Sequence, residues 1–170
     1  MAYEGEVSAA TAVLTRMIAG TPSAVYAAVT DPAKLRLWLR PADFVTTEVE
    51  ADLRVGGSFR FRMRRADGAF FGAEGVYCEV VPNERVVLTW RWNEGPEDEV
   101  QAREETLLTI AVQAVGDATR VTLTHELLPN EAFVQSHSTG WAEALDALER
   151  CFPPLASSEH ERLGAELCAG

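Results

Sequence analysis

The sequence has few cysteines, little positive charge and no long apolar run. Its three cysteines are Cys78, Cys151 and Cys168. An odd number at such wide spacing fits neither a disulfide framework nor a CxxC metal motif. A reducing, cytoplasmic setting is therefore expected. The formal charge is -11, and a surface of that sign repels phosphate backbones, so no nucleic acid partner is expected. No apolar stretch reaches the ~20 residues that a membrane helix needs, so no membrane partner is expected either. The opening MAYEGEVSAATAVLTRM is acidic and interrupted, unlike a secretory leader. GxSxG, P-loop, GxGxxG and HExxH strings are missing, and with them the chemistry they carry. His137 and His160 stand far from other ligand types, so no metal or other cofactor is expected.

What the chain does have is apolar residues, at 47% of 170, enough for one core in one domain. Residues 11–19 (TAVLTRMIA) read as a first strand. Thr21-Pro22 and Asp31-Pro32 are two cap-then-proline signals, each predicting a short helix. From residue 44 the apolar period changes from 3.6 to 2. FVTTEVEADL, SFRFRMRR, AFFGAEGVYCEVV, ERVVLTWRW, REETLLTIAVQAV and ATRVTLTHELL read as six strands. Asp67-Gly68, Pro82-Asn83 and Gly116-Asp117 turn them, and residues 93–102 form an acidic loop. Tight turns without intervening helices predict an antiparallel meander.

Residues 137–152 (HSTGWAEALDALERCF) carry the longest helical pattern, with Ser138 or Thr139 as the cap. Trp141, Leu145, Leu148 and Phe152 form one stripe. Residues 1–10 and 153–170 read as tails around a domain of residues 11–152. A twisted sheet with one apolar face must cover that face, and one helix over a curved sheet leaves space between them. A cavity is the functional expectation.

The order of elements, with the strings TPSAVYAAVTDPAKLRLWL, VGGSFRFRM, GVYCEVVPNERVVLTW, TRVTLTHELL and GWAEALDALERCF, resembles the START-like (SRPBCC) superfamily. Within it the chain is similar to the C-terminal domain of the heat shock protein 90 ATPase activator. The resemblance implies an α+β helix-grip fold, a curved antiparallel sheet wrapped around a long C-terminal helix. It also implies an internal pocket. Members include binders of apolar small molecules, polyketide cyclase-like enzymes and chaperone regulators of the stress response. A shared fold does not by itself transfer activity.

Counting by twos from Val121 and Leu123 places His125 inward, as a candidate acid, base or orienting group. Glu126 faces the other way, so the two are not a dyad. Trp38, Trp90 and Trp141 are candidate aromatic walls, and Trp92 shares the face of Trp90. Phe61, Met63 and Leu145 complete the inward set, and Cys78 joins it as a buried thiol in line with Val76 and Val80. Arg60, Arg62, Arg64 and Arg65 form a basic strand face, to be paired with Glu74 and Glu79 or offered to a chaperone. The acidic residues from Glu94 to Glu105 lack calcium-loop spacing. The expected activity is non-catalytic binding of a small apolar or aromatic molecule, by a monomer or an edge-paired homodimer. A cyclase or dehydratase using His125 and a chaperone co-regulator are the alternatives.

Overall fold

The computed structural model describes residues 10–96 and 104–153. Residues 1–9, 97–103 and 154–170, which hold most of the expected tails and of the expected acidic loop together with Cys168 and His160, lie outside the described residues. Along the chain come β1 (Ala10–Ile18), α1 (Pro22–Ala28) and α2 (Pro32–Trp38). Then follow β2 (Phe44–Ala51), β3 (Ser58–Arg65), β4 (Phe70–Val81), β5 (Arg85–Glu94), β6 (Thr106–Val115) and β7 (Ala118–Leu128), and last α3 (Glu131–Arg150). Asn93 and Glu94, expected in the loop, extend β5 instead.

The short helices start where the sequence says. Thr21 Oγ1 accepts from the Ala24 N–H at 3.1 Å, and Asp31 Oδ1 from that of Ala33 at 2.9 Å, each satisfying an N–H that the helix leaves open. The seven strands form one curled antiparallel sheet in the order β1-β7-β6-β5-β4-β3-β2. From β2 to β7 this is a plain meander, and β1 closes onto β7. Register shifts interrupt β4 against β5 at Gly72/Ala73 and at Tyr77/Glu79, and such bulges bend a strand and raise its twist. Between them, a Cβ on Gly75 would lie 1.8 Å from the Thr89 carbonyl oxygen. Only glycine fits where β4 and β5 approach that closely.

The second bulge corrects the reading of Cys78. Phe71, Ala73 and Tyr77 point into the core, while Val76 and Cys78 are exposed. Beyond the shift the parity flips, so that Val80, paired with buried Val86, faces inward again. Period-two counting from Val80 back to Cys78 crosses the bulge and selects the wrong face.

The long helix is also corrected. It begins at Glu131, six residues before the expected start, and its cap is Asn130, whose Oδ1 accepts from the Phe133 N–H at 3.1 Å. At 20 residues it is ~30 Å long. Ser136, Ser138, Thr139 and Gly140 are weak helix formers, but they share a segment with His137 and Trp141, whose burial fixes it. The core lies between the curled sheet and α3, with Leu145 and Leu148 fully buried on the helix stripe. Helix α3 packs on β1, and α2 packs on both β2 and α3.

The arginine strand is paired, but not with the expected residues. Arg62 makes a fork to Glu94, both bonds at 2.8 Å, and its guanidinium carbon lies 3.8 Å from the centre of the Phe70 ring. The fork passes over Gly72, where a Cβ would come within 3.3 Å of the Glu94 carboxylate. Arg60 faces Glu50 at 3.6 Å, and Arg65 holds Asp67 at 2.9 Å. Glu74 pairs with Arg91, and Glu79 pairs with Arg85 at 2.8 Å. Glu74 stands opposite Arg60 on neighbouring β4 but is held by Arg91 and Asn93 of β5, and Glu79 lies past the end of the β3–β4 pairing, so the arginines turn to their register partners Glu48 and Glu50 on β2 and to Glu94 reaching across from β5.

The assigned helix start is testable. Asn130→Ala should cost about 1 kcal/mol in urea unfolding, while Thr139→Ala should stay within about 0.5 kcal/mol. The reverse order would return the cap to the Ser138/Thr139 region.

Candidate functional site

Strand β7 carries His125 into the interior as expected, with 0% of its surface exposed. Its hydrogen bonds determine its tautomer. The indole N–H of Trp141 points at Nδ1 from 3.1 Å, and an indole nitrogen can only donate. Nδ1 therefore carries a lone pair and no proton. Nε2 lies 2.7 Å from Thr106 Oγ1, whose own hydrogen goes to the Trp90 carbonyl at 2.8 Å. Nε2–H therefore donates to Thr106. His125 is neutral and engaged at both nitrogens. Burial, with a smaller contribution from neighbouring His137, pushes its pKa down to about 3.

His137 mirrors it. Nδ1 stands 2.8 Å from the Phe133 carbonyl oxygen, which only accepts, so Nδ1 carries the proton. Nε2 accepts the indole N–H of Trp92 at 3.0 Å. Burial lowers its pKa, against a smaller opposing effect of the Phe133 bond. The two imidazoles meet edge to face, 5.0 Å between centres. Two histidines of opposite tautomer thus each accept from one tryptophan. One pair joins β7 to α3, and the other joins β5 to α3.

Beside this cluster is a cavity of about 270 Å³. Phe61, Met63, Phe71 and Trp90 line it from the sheet, and His137, Trp141 and Ala144 from α3; all are buried. Half-buried Trp92 joins them. Arg40, Arg65, Ser136, Thr139 and Glu143 are the polar lining residues, and the last accepts the Ala42 N–H at 2.9 Å.

Of the residues singled out from the sequence, Phe61, Met63, Trp90 and Trp141 line the cavity. His125 is one layer behind, its ring centre 6.1 Å from those of Trp90 and Trp141. Trp38, 1% exposed, donates its indole N–H to the Ala28 carbonyl at 2.8 Å and belongs to the core. Leu145, one turn past Trp141, is also core. Cys78 is on the opposite face of the sheet. His137 and Phe71 were not anticipated as wall residues. His137 stands four residues before Trp141, on the same helix face, a relation hidden when the cap is placed at Ser138 or Thr139, which leaves His137 ahead of the first turn. Among the described residues no group of His, Cys, Asp and Glu could hold a metal ion, and no helix is long and apolar enough to cross a membrane.

The model of the family described as Activator of Hsp90 ATPase homolog 1-like protein matches residues 19–153. The chain belongs to that family. Its fold is also that of solved bacterial structures. A protein from Chromobacterium violaceum is 29% identical at a TM-score of 0.75, with 85% of this chain and 97% of that one covered. The AHSA1 protein of Silicibacter pomeroyi is 28% identical at 0.70, covering 83% and 96%. A protein from Rhizobium loti is 26% identical at 0.68, covering 84% and 96%. No curated protein matches the chain in sequence.

The locked histidine leaves a pH signature. The unfolded chain protonates His125 near its ordinary 6.5, and the folded chain only near 3. Between these values the unfolded state binds more protons, so stability is full above pH 6.5 and falls as the pH drops toward 3. Over pH 6 to 4 the loss from one such histidine is ~1.4 kcal/mol per pH unit. Urea midpoints of wild type and His125→Gln should therefore converge as the pH is lowered. Parallel curves would mean that His125 titrates normally in the fold.

Proposed function

We propose that this family member binds a small apolar or aromatic molecule in the cavity between the sheet and α3. The observation that carries this reading is a space of about 270 Å³ walled by Phe61, Met63, Phe71, Trp90 and Trp141. A cavity of ~150 Å³ already admits benzene, so one to two fused rings match the room available. Aromatic walls favour flat ligands through stacked and edge-to-face contacts.

The cyclase-like alternative needs a group that can move a proton at the ligand. His125 is a weak candidate, because Trp141 and the carbonyl-bound Thr106 occupy both of its nitrogens. Its geometry supports a positioning role, holding Trp141 in the wall. Docking of a chaperone on the arginine strand is weaker too, since Arg60, Arg62 and Arg65 each hold a carboxylate.

Native mass spectrometry of freshly purified protein, followed by organic extraction, tests the reading and identifies the class of any carried molecule. In titration calorimetry a bicyclic hydrocarbon such as tetralin should bind at one site. Ala144→Leu, which fills the cavity from α3, should weaken that binding by tenfold or more, from the order of 1.5 kcal/mol that overpacking costs. Binding unchanged in Ala144→Leu, or no binding of any apolar probe to wild type, would sink the proposal.

A further inference from the structure

Among the described residues the sheet ends in two edge strands, β1 and β2. An edge strand offers a row of unpaired backbone groups to any other strand, and proteins protect such edges with charge, bulges or a covering element. Strand β2 has all three. Glu48 and Glu50 stand on it, a register shift interrupts it between Thr46 and Glu48, and α2 packs against it. Strand β1 has little of this. Its one charged residue, Arg16, is held by Asp146 of α3 at 3.0 Å, and its register shift falls at its start, between Ala10 and Ala12. The register also fixes which backbone groups are free. The two-residue turn Gly116-Asp117 closes on Val115 and Ala118 as a hydrogen-bonded pair. Along β7 the bonds then alternate, so Thr119, Val121, Leu123 and His125 bond β1 through Ile18, Arg16, Leu14 and Ala12. Val13, Thr15 and Met17 therefore direct their N–H and C=O groups out of the edge. The Arg16 guanidinium, which reaches the Thr15 carbonyl oxygen at 3.2 Å, agrees with this assignment. All three side chains are exposed, Val13 at 61% and Met17 at 42%.

We propose that β1 is a self-association edge, on which a second copy of this chain pairs antiparallel through its own β1, centred on Thr15. Symmetry favours a second copy over an unrelated extended peptide. Val13 and Met17 stand two residues to either side of Thr15. Pairing about Thr15 sets Thr15 opposite its own copy and each Val13 opposite the Met17 of the other chain. The free N–H and C=O groups of these residues then exchange bonds, and their exposed apolar side chains meet as cross-strand pairs. Charge points the same way. Two chains of formal charge -11 repel each other, so they meet best where carboxylates are absent, and Ala10–Ile18 contains none. The arrangement is a closed two-fold, so association stops at the dimer. One strand pair is a small interface, which makes the dimer weak and concentration-dependent. No residue of β1 lines the cavity, so this inference stands independently of the binding reading.

Sedimentation velocity of the full chain from about 1 µM to about 1 mM spans affinities of that order. Wild type should move from monomer toward dimer as its concentration rises. Thr15→Lys and Thr15→Glu each place like charges opposite one another on the two-fold axis, and each should weaken dimerisation by roughly tenfold or more. Since Thr15 is exposed, both variants should keep the wild-type urea midpoint at low concentration, which separates lost pairing from lost folding. Mixed in equal amounts, the two variants should recover a dimer, because opposite charges then meet on the axis. Wild type that stays monomeric throughout, as it would with the edge occupied by another part of the chain, overturns the inference. So does a dimer undiminished in both variants, or a mixture that does not recombine.

Discussion

Helix α3 is fastened to the sheet by two indole-to-imidazole hydrogen bonds, and the cavity depends on them. The Trp141–His125 bond joins α3 to β7, and the Trp92–His137 bond joins β5 to α3. Apolar burial alone is non-directional. It would press the helix onto the sheet at any angle and translation that hid the stripe of Trp141, Leu145 and Leu148. Hydrogen bonds between buried groups select one placement, since every other leaves a donor or acceptor unpaired in a medium where that is costly. The space between sheet and helix can thus persist without the helix sliding to fill it.

That constraint explains why sequence reading recovers the frame better than the site. The strands were legible because their alternation is set locally, as in SFRFRMRR, where Phe59, Phe61 and Met63 all turn inward. The caps of the short helices were legible for the same reason. Cys78 was misread because a bulge is a pairing event between β4 and β5, and period-two counting has no access to the partner strand. The start of α3 was misread because burial of His137 and Trp141 outweighs a run of weak helix formers that resembles a cap. His137 was then missed as a wall residue through that same error. The counting that put His125 inward gave its face correctly, but could not show that Trp141 stands between it and the cavity.

The curvature follows from a similar combination of local and distant causes. Gly72 and Gly75 lie on β4, near the middle of the half of the sheet formed by β2 to β5. Gly75 lets the Thr89 backbone come close, and Gly72 lets Glu94 reach across to Arg62. One glycine thus acts on the backbone, where it admits a bend. The other acts on the outer surface, where it admits an ion pair spanning three strands. Exposed pairs of this kind are worth little in isolation. The fork to Glu94 with Phe70 stacked beneath is better organised than most, and it ties the bent strands together on the face away from the cavity.

Neutrality of the histidine pair also constrains what the cavity can hold. Two imidazolium charges with ring centres 5.0 Å apart would repel in a region that burial already makes hostile to charge. Each imidazole therefore stays uncharged, and each keeps a lone pair to accept an indole N–H. Protonating either would convert its acceptor nitrogen into a second donor facing a tryptophan N–H, and would break the attachment of α3. The wall is thus uncharged for the same reason that it is correctly assembled. An anionic group placed against it would find no compensating cation, and among the lining residues the guanidinium groups belong to Arg40 and Arg65. A negative charge on a ligand is best placed toward those arginines, and its neutral ring system against the tryptophans. The hydrogen bonds that fix the helix therefore also set the polarity of what can lie beneath it.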